Sequence, residues 1–154
     1  MAALEPEAAT FLPDTNLYVA AIRGGARKTD TLRLLLLLVE GDRFDLVGNR
    51  LLIEEYRRYG EAFSTPTAVG LLAGVVRKVR VVEPAERFLR ACEPYFSAVH
   101  LADVLHAATC LETGAVLISN DRHFDAIARS GLIRRMTLSQ AIRSLLQREP
   151  ARRS

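Results

Sequence analysis

Two hydrophobic periodicities alternate along this chain. Short apolar runs between turn-forming residues, such as AVLIS at positions 115–119, are typical of strands buried in a parallel sheet. Longer stretches repeat apolar side chains every three or four positions, which favours helices. The alternation of the two patterns predicts an α/β fold with a parallel sheet.

Turn and capping residues set the predicted boundaries. Asn49 is a favourable N-cap, Pro66 suits a first helical turn, and glycines at positions 24, 25, 41, 60, 114 and 131 end helices. Nothing in the pattern anchors the path of residues 84–100, although a helix is expected over 84–96. The predicted strands are 10–13, 43–47, 79–83, 115–119 and 133–137, and the predicted helices are 15–23, 29–40, 50–59, 66–78, 84–96, 101–113, 121–131 and 138–147.

Length and composition indicate one globular domain. The chain has 154 residues, 49% hydrophobic and 25% charged, which excludes a disordered protein. We expect a loose tail over residues 1–9, a single domain over 10–148 and a basic tail over 149–154.

Several features predict a cytoplasmic protein that does not enter a membrane. The longest apolar run, residues 34–39, is far shorter than the roughly 20 residues of a membrane-spanning helix. Glu5 and Glu7 make the N-terminus unlike a signal peptide. Cys92 and Cys110 form neither a disulfide framework nor a zinc pattern, which suits a reducing compartment.

The basic side chains are biased towards arginine. The chain has 19 arginines and 2 lysines, and its formal net charge is +3. Because guanidinium groups fork two hydrogen bonds onto a phosphate, the bias suits a nucleic-acid surface. A GC-rich genome, which favours arginine codons, explains it equally well.

Two aspartates follow predicted strands at equivalent positions. Asp14 comes directly after strand 10–13, and Asp121 comes after strand 115–119. Because the carboxyl ends of parallel strands line one crevice, neighbouring strands would bring the two carboxylates together. Alternatively, each aspartate only caps the helix that follows it.

Two further acids are notable for their helical positions. Glu55 lies within the apolar stripe of helix 50–59, where it needs a partner, whereas Glu54 lies among surface arginines. Glu55 either serves a site or pairs with an arginine distant in sequence. Asp103 opens helix 101–113, where the helix dipole favours a carboxylate, and shares a face with His106. For His106, a hydrogen-bonded interior position is favoured over a role as a ligand.

Four acids placed in this way indicate a bound cation. Carboxylates held close together repel one another, and some must protonate unless a cation neutralises them. Mg²⁺ and Mn²⁺ prefer carboxylate oxygen, and ions held by a few carboxylates activate water and bind phosphate groups. The sequence has no GxxxxGK[ST] loop, GxGxxG fingerprint, HExxH motif or nucleophile elbow.

The order of these residues resembles that of the PIN-domain ribonucleases, in particular the VapC-type toxins of prokaryotic toxin–antitoxin pairs. The resemblance extends from about residue 11 to residue 137. It rests on Asp14-Thr15-Asn16 after the first strand, Glu55-Tyr56 in a helix, the helix start from Asp103 to His106, and the segment from Ser119 to Phe124 after the fourth strand.

The resemblance implies a fold and an activity. The fold is a three-layer α/β/α sandwich around a parallel sheet of four to five strands, and the activity is metal-dependent hydrolysis of RNA phosphodiester bonds. The family's catalytic acids correspond to Asp14, Glu55, Asp103 and Asp121. The three aspartates would hold Mg²⁺ or Mn²⁺, and Thr15 and Ser119 take supporting positions.

Asp125 and Pro13 lie close in sequence to the predicted acids and are not part of the family pattern. Asp125 is either a further acid of the site or a surface partner of Arg122 and Arg129, and the surface interpretation is favoured. Pro13 directly precedes Asp14 and is expected to stiffen the end of the first strand.

The resemblance also implies partners. Basic side chains at the rim would guide the RNA backbone: Arg23, Arg27, Lys28, Arg57 and Arg122. A toxin of this kind implies a small antitoxin protein that covers the site, and a homodimer. Apolar side chains of the first two helices could serve either contact: Tyr18, Ile22, Leu34 and Leu37. For the run from Leu34 to Leu38, ordinary core packing against the sheet is favoured.

Three other functions are compatible with parts of the sequence. A housekeeping RNA-processing nuclease would share the site and lack an antitoxin. A non-catalytic PIN-like module that binds RNA or protein would be expected to lose acids, yet all four are present. An aspartyl phosphatase ranks last, because Asn16 stands where that chemistry usually has a second aspartate.

Overall fold

The computed structural model describes residues 9–24 and 27–147. The predicted tail over 149–154, nearly all of the tail over 1–9, and Gly25 lie outside these residues. The strands are β1 (Ala9–Pro13), β2 (Phe44–Gly48), β3 (Arg80–Val81), β4 (Val116–Ile118) and β5 (Arg134–Met136). The α-helices are α1 (Thr15–Arg23), α2 (Asp30–Glu40), α3 (Arg50–Phe63), α4 (Pro66–Lys78), α5 (Glu86–Cys92), α6 (Leu101–Thr113), α7 (Asp125–Ser130) and α8 (Leu138–Ala141).

Three shorter helical segments complete the described chain. Glu93–Tyr95 and Arg122–Phe124 form 3₁₀ turns, and Ile142–Leu146 extends α8 as a π-helix. No helix within residues 9–24 and 27–147 has the length and apolar character needed to cross a membrane.

The strands form one parallel sheet in the order β3-β2-β1-β4-β5. The chain first builds outward from β1 through β2 to β3, and then returns to place β4 on the other side of β1. The carboxyl ends of β1 and β4 therefore flank the point where the strand order reverses, which is where open α/β sheets bind ligands. The predicted α/β/α sandwich is confirmed.

The apolar faces of the first helices form part of the core. Tyr18, Ile22 and Leu34 are at most 1% exposed, and Leu37 is partly buried against them. The core interpretation of these side chains is therefore confirmed. The alternative, that they form a surface for an antitoxin or a second copy, is wrong for the three buried residues.

Pro13 ends β1 without disturbing the sheet. The neighbouring backbone N–H of Asp14 donates to Ile118 O of β4 at 3.0 Å, so the nitrogen of Pro13 faces the opposite side, towards β2. Pairing with β2 already ends at Phe11, opposite Leu46. A proline at this position therefore removes no hydrogen bond from the ladder.

Three helices have the predicted bounds, and others differ. The predicted helix 121–131 is divided into the 3₁₀ turn Arg122–Phe124 and α7, and the predicted helix 138–147 is α8 followed by a π-helix. The bounds of α1, α4 and α6 are those predicted, and the segment 84–96 contains α5 and the following 3₁₀ turn. Helix α3, however, continues past Gly60 to Phe63 and ends at Ser64, whose φ of 51° is left-handed. Gly60 is a buried residue of this helix. A Cβ at this position would lie only 2.6 Å from the hydroxyl oxygen of Tyr18, so a larger residue does not fit. This glycine permits close packing and does not end the helix.

We expect Gly60→Ala to destabilise the protein, although alanine is the better helix former. The added methyl group would displace the Tyr18 hydroxyl, which donates to Ala68 O at 2.9 Å. Overpacking of this kind costs about 1–3 kcal/mol. The matched control is Gly70→Ala on α4, where a Cβ meets nothing within 4 Å. Its expected effect is stabilisation by up to about 1 kcal/mol. Urea unfolding measures the change in the free energy of unfolding for each variant. Equal changes in Gly60→Ala and Gly70→Ala would contradict the packing role of Gly60.

Candidate active site

The pairing of β1 with β4 brings two predicted site residues into direct contact. Pro13 lies opposite Ile118, so the residues that follow them, Asp14 and Ser119, are adjacent. Ser119 Oγ donates to Asp14 Oδ2 at 2.6 Å. The first and fourth strands are therefore neighbours, which is the condition under which Asp14 and Asp121 would share one crevice.

Asp14 is held in a buried position. Its side chain caps α1, with Oδ1 accepting from Thr15 N at 2.8 Å, and the residue is only 8% exposed. Burial raises the pKa of Asp14, and the nearby charge of Glu55 raises it further, while hydrogen bonds from Ser119 and Thr15 oppose the shift. Asp14 is thus both a helix cap and a member of a carboxylate cluster.

Ser119 links the two strand ends through its hydroxyl. Besides donating to Asp14, the hydroxyl accepts from Asn16 Nδ2 at 3.1 Å and from Asp121 N at 3.0 Å. Asn16 also lies within hydrogen-bond distance of Asp14 Oδ2 and of Asn120 N. Sequence reasoning noted Asn16 only as part of a pattern. Its bonding role could not be foreseen, because every partner but one is over 100 residues away.

Glu55 reaches the same cleft from α3 and has a histidine partner. Its Oε1 lies 3.0 Å from Nε2 of His106, which is 2% exposed. Within residues 9–24 and 27–147 the ion-pair partner of Glu55 is this histidine, and the arginine alternative finds no support there. His106 is a hydrogen-bonded interior residue, as predicted, and it also faces the cleft.

Hydrogen bonds around Asn49 fix the position of the proton on His106. Asn49 Oδ1 accepts from Leu52 N at 2.9 Å, so the amide NH₂ group points the other way, towards α6. There it donates to Thr109 Oγ1 at 3.0 Å and lies 3.0 Å from His106 Nδ1. Nδ1 must therefore accept, and Nε2 carries the proton that is donated to Glu55. This chain of bonds orients the Glu55 carboxylate.

Asp103 and Asp121 meet around His123. Asp103 lies in the first turn of α6, and its Oδ2 is 2.9 Å from His123 Nδ1. Asp121 accepts from His123 N at 2.9 Å, and its Oδ1 is 3.3 Å from the same ring nitrogen. Burial raises the pKa of Asp103, and the charge of Asp121 raises it further. Sequence reasoning missed His123, although its position two residues after Asp121 was a usable signal.

Asp125 lies outside the cleft and binds Arg135 of β5. The predicted surface role is supported, but the partner in this ion pair is Arg135 and not the expected Arg122 or Arg129. Arg135 also donates to Ser119 O at 3.2 Å and to Asp121 O at 3.4 Å. The Asp125–Arg135 pair therefore braces the loop that carries Asp121. The partner was not predictable, because β5 and α7 are brought together only by the sheet.

One cleft of about 360 Å³ collects the four predicted acids. Its lining residues are Asp14, Thr15, Asn16, Val19, Arg23, Glu55, Tyr59, Asp103, His106 and Asp121. Of the predicted RNA-binding residues, Arg23 lines this cleft. The other four are exposed and lie outside its lining: Arg27, Lys28, Arg57 and Arg122.

The donor set of this cleft fits a hard divalent cation. Four carboxylates line it, and burial together with mutual repulsion raises the pKa values of Asp14 and Asp103. A cation relieves that repulsion, and carboxylate oxygens are the ligands that Mg²⁺ and Mn²⁺ prefer. Thr15 adds a buried hydroxyl that has no hydrogen-bond partner within the described part of the chain. Such a hydroxyl is available to a bound ligand or its water.

We expect NMR to find His106 protonated at Nε2 and bare at Nδ1. Long-range ¹H–¹⁵N spectra distinguish the two nitrogens, and loss of signals in His106→Gln assigns them among the three histidines. In Asn49→Asp the cap oxygen is kept, but the NH₂ donor becomes an acceptor, so Nδ1 should gain a proton. A protonated Nδ1 in the wild-type spectrum would contradict the proposed orientation of Glu55.

Comparison with known protein families agrees with this arrangement. The family model of the PIN domain matches residues 11–130, and a search of curated proteins finds no match. PIN domains are generally nucleases, PIN nucleases usually use divalent metals, and their fold implies binding of RNA. The match runs from β1 to the end of α7 and includes all four acids of the cleft. On this match across most of its length, the chain belongs to the PIN domain family.

Proposed function

We propose that this protein is a metal-dependent ribonuclease that hydrolyses RNA phosphodiester bonds. The observation that carries the proposal is the convergence of Asp14, Glu55, Asp103 and Asp121 on one cleft at the reversal point of the sheet. Asp14, Asp103 and Asp121 would hold Mg²⁺ or Mn²⁺. A divalent ion held there supplies a bound water of lowered pKa and positive charge beside the phosphate.

The remaining side chains act on the water and on the substrate. Glu55 accepts a proton at Oε2 or binds water there, since its Oε1 is occupied by the Nε2 proton of His106. Ser119 and Thr15 N hold both oxygens of Asp14 in one orientation. Fixed orientation of such groups before reaction is a large part of how enzymes stabilise transition states.

The rim of the cleft suits an RNA strand. Arg23 places a guanidinium at the cleft, and Tyr59, which is 38% exposed, offers an aromatic face on which a base can stack. The exposed cations at Arg27, Lys28 and Arg57 attract the phosphate backbone towards an otherwise acidic site.

We also propose that this ribonuclease is the toxin of a VapBC-type toxin–antitoxin pair. The support is the resemblance of the residue pattern to VapC-type toxins, together with an open acidic cleft that could receive a basic side chain. The partner would be a small antitoxin protein that covers the cleft, and the toxin would act in the cytoplasm as a homodimer.

We expect Asp14→Asn to reduce RNA cleavage by at least about a hundredfold, because it removes a central carboxylate. Cleavage of a mixed RNA pool is followed with Mg²⁺, with Mn²⁺ and with EDTA. The matched control is Asp45→Asn, which makes the same change at an exposed position of β2 and should cleave like the wild type. Circular dichroism verifies that both variants are folded.

Three outcomes would change the proposal. Equal cleavage by wild type and Asp14→Asn would show that the site is wrong. RNA binding without metal-dependent cleavage would favour a non-catalytic module. The third outcome combines RNA cleavage in vitro with normal growth of a bacterial host that expresses the wild-type chain. Asp14→Asn is the inactive control for growth. This outcome would favour a housekeeping nuclease over a toxin.

A further inference from the structure

Beside the acidic cleft lies a second cluster of donor atoms that contains nitrogen. His100 is the N-cap residue of α6, Asp103 lies in the first turn of that helix, and His123 lies in the 3₁₀ turn after β4. One donor atom from each residue lies within 4.8 Å of the others. The proposed nuclease mechanism gives neither His100 nor His123 a role.

The distances within this cluster suit a small cation. Asp103 Oδ2 lies 2.9 Å from His123 Nδ1 and 3.8 Å from His100 Nδ1. In a tetrahedral site with bonds near 2.1 Å, ligand atoms are about 3.4 Å apart. These two separations bracket this value, and all three donor atoms lie within 4.8 Å of one another, so side-chain rotations would bring them around one ion.

The two imidazole rings are already arranged side by side. Their centroids are 3.8 Å apart with planes inclined by 33°, and the Nδ1 atoms of both rings lie within 4 Å of the same carboxylate oxygen. Two nitrogen donors sharing one carboxylate need only one further ligand, such as water, to complete four-coordination. The side chains of His100 and His123 are 32% and 45% exposed, so an ion can reach them from solvent.

The chemistry of these donors differs from that of the acidic cleft. Imidazole nitrogen favours borderline ions such as Zn²⁺, Co²⁺ and Ni²⁺, whereas an all-oxygen set favours Mg²⁺ and Mn²⁺. We propose that His100, Asp103 and His123 form a separate binding site for a divalent transition-metal ion, Zn²⁺ in the first instance, at the edge of the acidic cleft.

Binding at this site has a defined proton balance. His123 Nδ1 and Asp103 Oδ2 share a proton at 2.9 Å, and the metal ion takes its place. His123 binds the ion as a neutral imidazole, so the proton displaced from Nδ1 is replaced by one taken from solvent at Nε2, and nothing is oxidised or reduced. Asp103 contributes Oδ2 to the new site and is also one of the four acids of the cleft, so the two sites are adjacent and share one residue.

Cobalt is the probe for this site, because four-coordinate Co²⁺ absorbs visible light far more strongly than Co²⁺ with six oxygen ligands. EDTA-treated full-length protein, free of any histidine tag, is titrated with Co²⁺ in the presence of excess Mg²⁺. We expect one equivalent of Co²⁺ to give the intense bands, and Zn²⁺ to abolish them by displacement.

Variants identify the ligands. Loss of a direct ligand should weaken Co²⁺ binding at least about tenfold, since even outer-shell substitutions cost 10–100-fold. His100→Gln and His123→Gln should therefore lose the bands. The matched control is His106→Gln, the remaining histidine, which should keep them, as should Asp14→Asn.

The same titration can overturn the proposal without reference to nuclease activity. Weak bands that excess Mg²⁺ removes, or intense bands that persist in both His100→Gln and His123→Gln, would show that no such site exists. Melting curves of the metal-free variants verify folding, and His100→Gln decides the question if His123→Gln is unstable. If Asp14→Asn loses RNA cleavage but keeps the Co²⁺ bands, the Co²⁺ site and the nuclease site are independent of each other.

Discussion

The parallel pairing of β1 with β4 is the constraint on which the rest of the site depends. It sets Asp14 beside Ser119, and a single hydroxyl then joins Asp14, Asn16 and the backbone of Asp121. Asp14 and Asp121 belong to segments more than 100 residues apart in sequence, yet the register of two strands places them at one edge of the sheet. The helices α3 and α6 add Glu55 and Asp103 to the same cleft.

The four carboxylates in this cleft repel one another, and basic side chains of the protein neutralise that repulsion only in part. The cleft acids are partnered by His106 and His123, whereas the arginine of the nearby ion pair, Arg135, is used to brace the loop carrying Asp121. Burial still raises the pKa values of Asp14 and Asp103. A pocket with this excess of carboxylate is suited to a divalent cation, because the cation supplies the missing positive charge.

The sequence predicted features that depend on local pattern, and missed those that depend on contacts between distant segments. Strand ends and helix periodicity placed all four acids, since these follow from spacing along the chain. The partner of Glu55 is His106, and that of Asp125 is Arg135, and neither is a sequence neighbour. Gly60 was misinterpreted for the same reason, because the Tyr18 side chain that excludes a Cβ belongs to another helix.

The most direct test of the account is whether Mg²⁺ stabilises the protein through Asp14. At a Mg²⁺ concentration of 100 times Kd, binding adds about 2.7 kcal/mol, which raises Tm by roughly 5–10 °C for a domain of this size. The gain should shrink as pH falls, beginning above the ordinary aspartate pKa of 3.8, because protons compete for Asp14 and Asp103, whose pKa values are raised. Wild-type protein should show the gain and Asp14→Asn should not. An equal rise in Tm for both, or none for the wild type, would contradict the carboxylate metal site.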